Sequence, residues 1–151
     1  MSLDVPAIAA AYDAVRSDTD PVNWLIIGDE ISKTGSGKAT GKMALQATGS
    51  GGLAELADRL DDAQAQYGYV RVQYANDSES TRVKFVLIVW IGEQTRVMRK
   101  ARVSVETGAV RAVLRHHSIQ VDARDRADLA EDDIVVRLRK AGGADYNGGR
   151  G

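Results

Sequence analysis

Residues 83–91, VKFVLIVWI, are apolar apart from Lys84. The run is rich in β-branched and aromatic side chains and does not alternate with polar ones, so it reads as a strand covered on both faces. Such a strand needs a sheet with helices packed on each side. Alternation puts Arg82, Lys84, Val86, Ile88 and Trp90 on one face and Phe85, Leu87, Val89 and Ile91 on the other. A lysine is tolerable there only near the strand end, where its amine reaches water. The strand then empties into a basic segment containing Arg96, Arg99, Lys100 and Arg102. These cations, with Arg82 and Lys84, form a candidate electropositive contact site, with Lys100 beside Lys84 if the following helix begins nearby. The plainer reading is a frayed strand end with solvated cations, and the pattern alone does not separate the two.

The rest of the chain supplies the covering elements. Residues 5–17 carry Val5, Ile8, Tyr12 and Val15 at helical spacing, with Asp4 placed as an N-cap and Pro6 in the first turn. VNWLIIG (22–28) reads as a strand, and Met43, Leu45 and Ala47 mark another over 41–48. Leu53, Leu56, Leu60 and Ala63 share a face of a helix over 53–66. YGYVRVQYA alternates, giving a strand with one buried side (Val70, Val72, Tyr74), and NDSES closes a hairpin with the 82–91 strand. Residues 95–116 resume helical spacing through Val97, Met98, Ala101, Val110, Val113 and Leu114, with a break suggested by Gly108 and the β-branched residues of 103–107. SIQVD is a short strand. A last helix places Leu129, Ile134, Leu138 and Ala141 for packing and ends at Gly142, a C′ glycine. The fold class is α+β, a mixed sheet flanked by helices on both faces, in the order αββαββαβα. A single domain over 1–143 and a flexible tail over 144–151 are expected.

Several functions are disfavoured. The net charge of -1 balances 20 basic against 21 acidic side chains, which does not suggest general nucleic-acid binding. There is no cysteine, hence no disulfide, thiolate nucleophile or cysteine metal site. No apolar run is long enough to span a bilayer, and the N-terminus lacks a basic leader region, so a cytoplasmic protein is expected. GSGKATGK (35–42) fails as a phosphate loop. Ser32 and Ser36 stand where the first glycine belongs, and Ala39 and Met43 stand where a hydroxyl must follow the lysine. A strand-connecting loop is the stronger reading. His116 and His117 are adjacent, point about 100° apart on a helix, and suit a helix C-terminus better than a metal site. The acids at 122, 125, 128 and 131–133 lack the spacing of a calcium loop and fit helix starts.

KFVLIVWIGE, the basic segment after it, and DLAEDDIVVRLRKAGGADY together resemble the coactosin branch of the actin-depolymerising-factor homology family. AAYDAVRSDTDPVNWL resembles that family's first helix and strand. The resemblance runs over almost the whole chain, strongest over 81–93 and 129–146. It implies a single domain of the family's fold that binds actin filaments without catalysis or a cofactor and works as a monomer, with neither nucleic acid nor membrane as partner. Carried over residue by residue, it implies an actin-binding role first for Lys84, then for Lys100, Arg102, Arg111, Arg139 and Lys140; Arg82, on the same strand face as Lys84, joins the candidate actin-binding residues from the pattern. The Lys-Met and Tyr-Ala-Ser-Ser signature of the depolymerising members is absent, which argues against strong monomer binding and severing. An adaptor of the same fold, binding another protein through the last helix and tail, is the alternative. A nucleotide enzyme rests only on the glycine loop.

Overall fold

The computed structural model describes residues 2–32, 37–77 and 79–147. Its strands are β1 (Ser2–Leu3), β2 (Trp24–Ile31), β3 (Ala39–Gly49), β4 (Ala65–Ala75), β5 (Thr81–Ile91) and β6 (Ile119–Ala123). They form one sheet in the order β1-β3-β2-β4-β5-β6. The four inner strands pair antiparallel, while β1 joins β3 and β6 joins β5 in parallel. The helices are α1 (Val5–Arg16), α2 (Gly52–Arg59), α3 (Val97–Ala101), α4 (Val103–Val113) and α5 (Glu131–Asn147), with a short 3-10 helix at Arg126–Leu129.

The apolar strand behaves as its composition requires. Val86, Ile88 and Trp90 of β5 pack with Trp24, Leu56, Val70, Ile134 and Leu138, under α2 and α5. Leu87 and Val89 pack with Ile8, Val15, Tyr67, Val103 and Val110, under α1 and α4. Each fully buried side chain of this kind contributes about 1.5–3 kcal/mol, so the middle of β5 is fixed far more firmly than its ends.

Five parts of the chain differ from expectation. β4 has two buried faces, not one: Tyr67 and Tyr69 are as fully buried as Val70. The reason is position, since β4 lies between β2 and β5 and is covered by α1 and α4 as well as by α2. Arg71 of the same strand reaches back to the carbonyls of Ser17, Asp20 and Val22 at 2.9, 2.9 and 2.6 Å.

α2 stops at Arg59 instead of continuing to residue 66. Leu60 is extended, the Asp61 carboxylate accepts from the Ala63 N–H at 2.8 Å, and Ala65 already belongs to β4. Arg126 closes the helix end by donating to the carbonyls of Ala57 and Leu60. Ala63, expected on the buried face, is exposed.

The 95–116 segment breaks at Arg102, before the β-branched run, and Gly108 lies inside α4. The break leaves the helical phase unchanged, with Arg99 on the same stripe as the buried Val103, Glu106 and Val110. Val97 and Met98, expected to be buried, are 78% and 80% exposed, and Arg99 is the buried residue of α3.

α5 runs through Gly142 to Asn147, so that glycine does not end the helix. Residues 148–151, and 33–36 of the glycine-rich segment, lie outside the described residues. β1 was not foreseen. Its two residues register with Lys42 and Met43, and the Asp4 N–H donates to the Met43 carbonyl at 2.9 Å before α1 begins. Asp4 occupies the N-cap position without a side-chain cap.

The acidic run and the histidines have structural duties. Asp125 and Asp128 form a reciprocal capping box at the 3-10 helix, and Glu131, Asp132 and Asp133 occupy the first turn of α5. There they offset the helix dipole. His117 Nδ1 lies 2.8 Å from the carbonyl of Leu114, the residue that ends α4. At the outer edge of the sheet, Arg137 of α5 donates to the Gln120 carbonyl of β6 at 3.0 Å.

Candidate functional site

The expected contact residues separate into two groups. The first lies at the closed end of the β4–β5 hairpin. Arg82 registers with Tyr74, and Lys84 with Val72. Val72 and Tyr74 belong to the cluster under α5, so Arg82 and Lys84 point to the α5 side. Arg139 of α5 reaches the same place. Its guanidinium carbon sits 5.7 Å from the Tyr74 ring centroid, and it donates to the Ala75 carbonyl at 2.8 Å. Residues directly opposed on neighbouring strands have Cβ atoms about 4.5–5.5 Å apart, so Arg82 and Arg139 flank one tyrosine. Lys84 is half-buried, while Arg82, Arg139 and Lys140 are exposed. Among the described residues, Lys84 and Arg82 have no carboxylate within ion-pair distance. These cations are held in place by strand and helix and remain available to an anionic partner.

The second group, Lys100, Arg102 and Arg111, stands on α3 and α4 or between them, on the other face of the sheet. The expectation that Lys100 lies beside Lys84 is overturned. Lys100 shares a groove with Ile91, Gly92, Glu93 and Arg124, beyond the far end of β5. The rise from residue 84 to residue 91 is about 23 Å at ~3.3 Å per residue. The geometric cause is the connection: the chain leaves β5 at Ile91 and enters α3 at that end, away from the hairpin. Lys100 and Arg102 are exposed next to Val97, Met98 and Val105, which are 78%, 80% and 73% exposed. An apolar strip rimmed by cations is therefore presented by α3 and the start of α4.

Behind that strip lies a charged cluster that the sequence reading missed. Arg99, grouped with the surface cations, is 9% exposed. Its Nε donates to the Asp29 carboxylate of β2 at 2.8 Å, and Nη2 lies 2.9 Å from Glu106 Oε1 of α4. The second approach is close but not aligned as a hydrogen bond, and both terminal nitrogens of Arg99 are buried without a hydrogen-bond partner. Tyr67 donates to the same Glu106 oxygen at 3.0 Å. Burial pushes the Tyr67 hydroxyl well above its ordinary pKa, and the Glu106 charge adds to the effect. The signal was present in the sequence: residues 99, 103, 106, 110 and 114 follow helical spacing, so Arg99 and Glu106 fall on the stripe of Val103, Val110 and Leu114. The stripe expected through Val97, Met98 and Ala101 is out of phase with it.

A six-stranded mixed sheet between two helical layers, with a cation-bearing hairpin end and a broken helix after β5, defines a class. The chain belongs to the family of cofilin/tropomyosin-type actin-binding proteins, whose model matches residues 1–139. Within that family it is similar to coactosins. It is 38% identical to the coactosin of Dictyostelium discoideum over 144 residues, 95% of this chain and 92% of that one. The crystal structure of coactosin from Entamoeba histolytica superposes with a TM-score of 0.81 at 29% identity, covering 95% of this chain and 98% of that one. Mouse coactosin, described as an actin filament binding protein, superposes with a TM-score of 0.74 at 28% identity, covering 98% and 96%. The expected family and fold are borne out. Among the described residues, no helix is long and apolar enough to cross a membrane.

Proposed function

We propose that this chain binds the side of actin filaments and modulates their dynamics as a non-catalytic protein, without strong severing, in the cytoplasmic actin cytoskeleton. The observation that carries the proposal is the meeting of Arg82, Lys84 and Arg139 at one end of the β4–β5 hairpin, from two elements distant in sequence. Lys140 extends this group along α5, and Lys100, Arg102 and Arg111 supply a second cationic face. An acidic filament surface would be steered towards such cations and held by charge-assisted hydrogen bonds.

A binding role also suits the titratable groups. Glu55, Asp61 and Asp77 have lowered pKa values, in each case chiefly because the carboxylate accepts a backbone N–H. They shape turns and helix starts and do not converge on a cavity as an acid–base pair would.

Co-sedimentation of the wild-type chain with actin filaments at low and at physiological salt tests the proposal. Exposed charges are screened over about 8–10 Å near physiological ionic strength, so the pelleted fraction should fall as salt rises. No pelleting at low salt would leave the adaptor reading in its place.

A further inference from the structure

α3 is held to the body of the protein in an unusual manner. Of its five residues, Val97, Met98, Lys100 and Ala101 are exposed, and Arg99 is the buried one. A helix this short has no stability of its own in water. Apolar contact, which anchors α1, α2, α4 and α5, is not what fixes α3. It is fixed by one guanidinium, shared between Asp29 on β2 at 2.8 Å and Glu106 on α4 at 2.9 Å. The Tyr67 hydroxyl orients the same Glu106 oxygen from β4 at 3.0 Å. Three elements thus meet at a single side chain, and β4 joins them through Glu106.

A buried ion cluster is a poor stabiliser, because desolvation offsets most of the attraction. The cost is sharper here, since Arg99 Nη1 and Nη2 are buried without hydrogen-bond partners. An apolar residue on the 103, 110, 114 stripe would close the core more cheaply. What the cluster supplies instead is direction: a guanidinium held between two carboxylates permits one orientation, whereas an apolar contact permits several.

We infer that Arg99 is a positioning residue, the tether that aims α3 so that Val97, Met98, Lys100 and Arg102 present one fixed surface to the partner. The inference rests on the actin reading above for the identity of that partner. When the tether is absent, α3 samples other orientations, and affinity falls in proportion to the time spent away from the competent one.

The test compares the wild type with Arg99→Lys and with a neutral-cluster triple variant, Asp29→Asn, Arg99→Met and Glu106→Gln, which leaves no buried charge unpaired. Three quantities are measured: the thermal midpoint, hydrogen exchange at the amides of Lys100 and Arg102, which bond to the carbonyls of Arg96 and Arg99, and filament co-sedimentation. The triple variant should keep its midpoint while exchange at those amides quickens by about tenfold or more. Its filament affinity should fall by about tenfold, as expected if the competent orientation is occupied a tenth of the time. Arg99→Lys, which retains the charge but not the fork, should fall between the two. Unchanged exchange in the triple variant would overturn the inference. So would a collapse of its midpoint together with its affinity, since Arg99 would then serve core stability alone. If the wild type does not pellet with filaments, the actin reading fails, and the exchange measurement still decides whether Arg99 is the tether.

Discussion

Arg139 lies over the ring of Tyr74, its guanidinium carbon 5.7 Å from the centroid, while it donates to the Ala75 carbonyl at 2.8 Å. One α5 side chain therefore fastens the last helix to the closed end of the β4–β5 hairpin and sets a positive charge beside Arg82. An exposed cation–π contact is worth about 0.5–1 kcal/mol and a net hydrogen bond about 0.5–1.5 kcal/mol. Arg139→Ala should destabilise by roughly 1–2 kcal/mol on these figures. At about 2–4 °C per kcal/mol for a chain of this size, thermal denaturation would detect it. Arg139→Lys should recover filament binding better than stability, because a lysine keeps the charge but cannot match the fork.

Lys84 is the complementary case. It has no ion pair among the described residues and sits at the edge of the apolar cluster. Lys84→Ala should leave stability within about 0.5 kcal/mol of the wild type, yet reduce the fraction that pellets with filaments. It should also flatten the salt dependence of pelleting. A variant that pellets like the wild type would remove Lys84 from the contact.

Gly92 follows β5 where the chain crosses the turn after α2. Its N–H donates to the Gln64 carbonyl at 3.0 Å, and a Cβ built there would meet the Asp62 carbonyl oxygen at 2.2 Å. Backbone cannot yield as a flexible side chain can. Gly92→Ala should cost about 1–3 kcal/mol, as overpacking usually does. Equilibrium denaturation by urea gives the comparison, with an unchanged midpoint as the contrary result.

Glu55 predicts an acid limb in stability. Its carboxylate accepts from the Gly51 N–H at 2.9 Å and from the Trp24 indole N–H at 2.8 Å. These bonds, the Gly51 one foremost, hold its pKa below the ordinary 4.5 in the folded chain. The stabilising effect is therefore complete above 4.5 and is lost as pH falls through the lowered folded value. Glu55→Gln should be less stable than the wild type near neutrality, and the gap should close on acidification. Thermal midpoints of both proteins from neutral to acid pH would show it, and a constant gap would refute it.

The parts of the fold that were legible in the sequence are those governed by local pattern. The continuous apolar run named β5 as an inner strand, and the spacing of Ile8, Tyr12 and Val15 named α1. What was hidden depended on neighbours. Tyr67 and Tyr69 look like residues of an exposed face until β4 is known to lie in mid-sheet. Leu60 continues the α2 stripe, but Arg126, far along the chain, takes the helix's last carbonyls. For the site, Lys84 and Arg139 were named from resemblance, and their meeting at Tyr74 needed the register. The buried Arg99 escaped because a cation in a basic segment is assumed to face water. Its place on the stripe of Val103, Glu106 and Val110 turns it inward.

A sheet with two free edges invites strands from other molecules to add to it. β6 offers only five residues, and its Gln120 carbonyl is already occupied by Arg137. At the other edge β1 covers part of β3, and the uncovered length carries Thr40, Gln46 and Thr48 with glycines at 41 and 49. Neither border is a smooth apolar template. The borders of this sheet are therefore poor templates for strands of another copy.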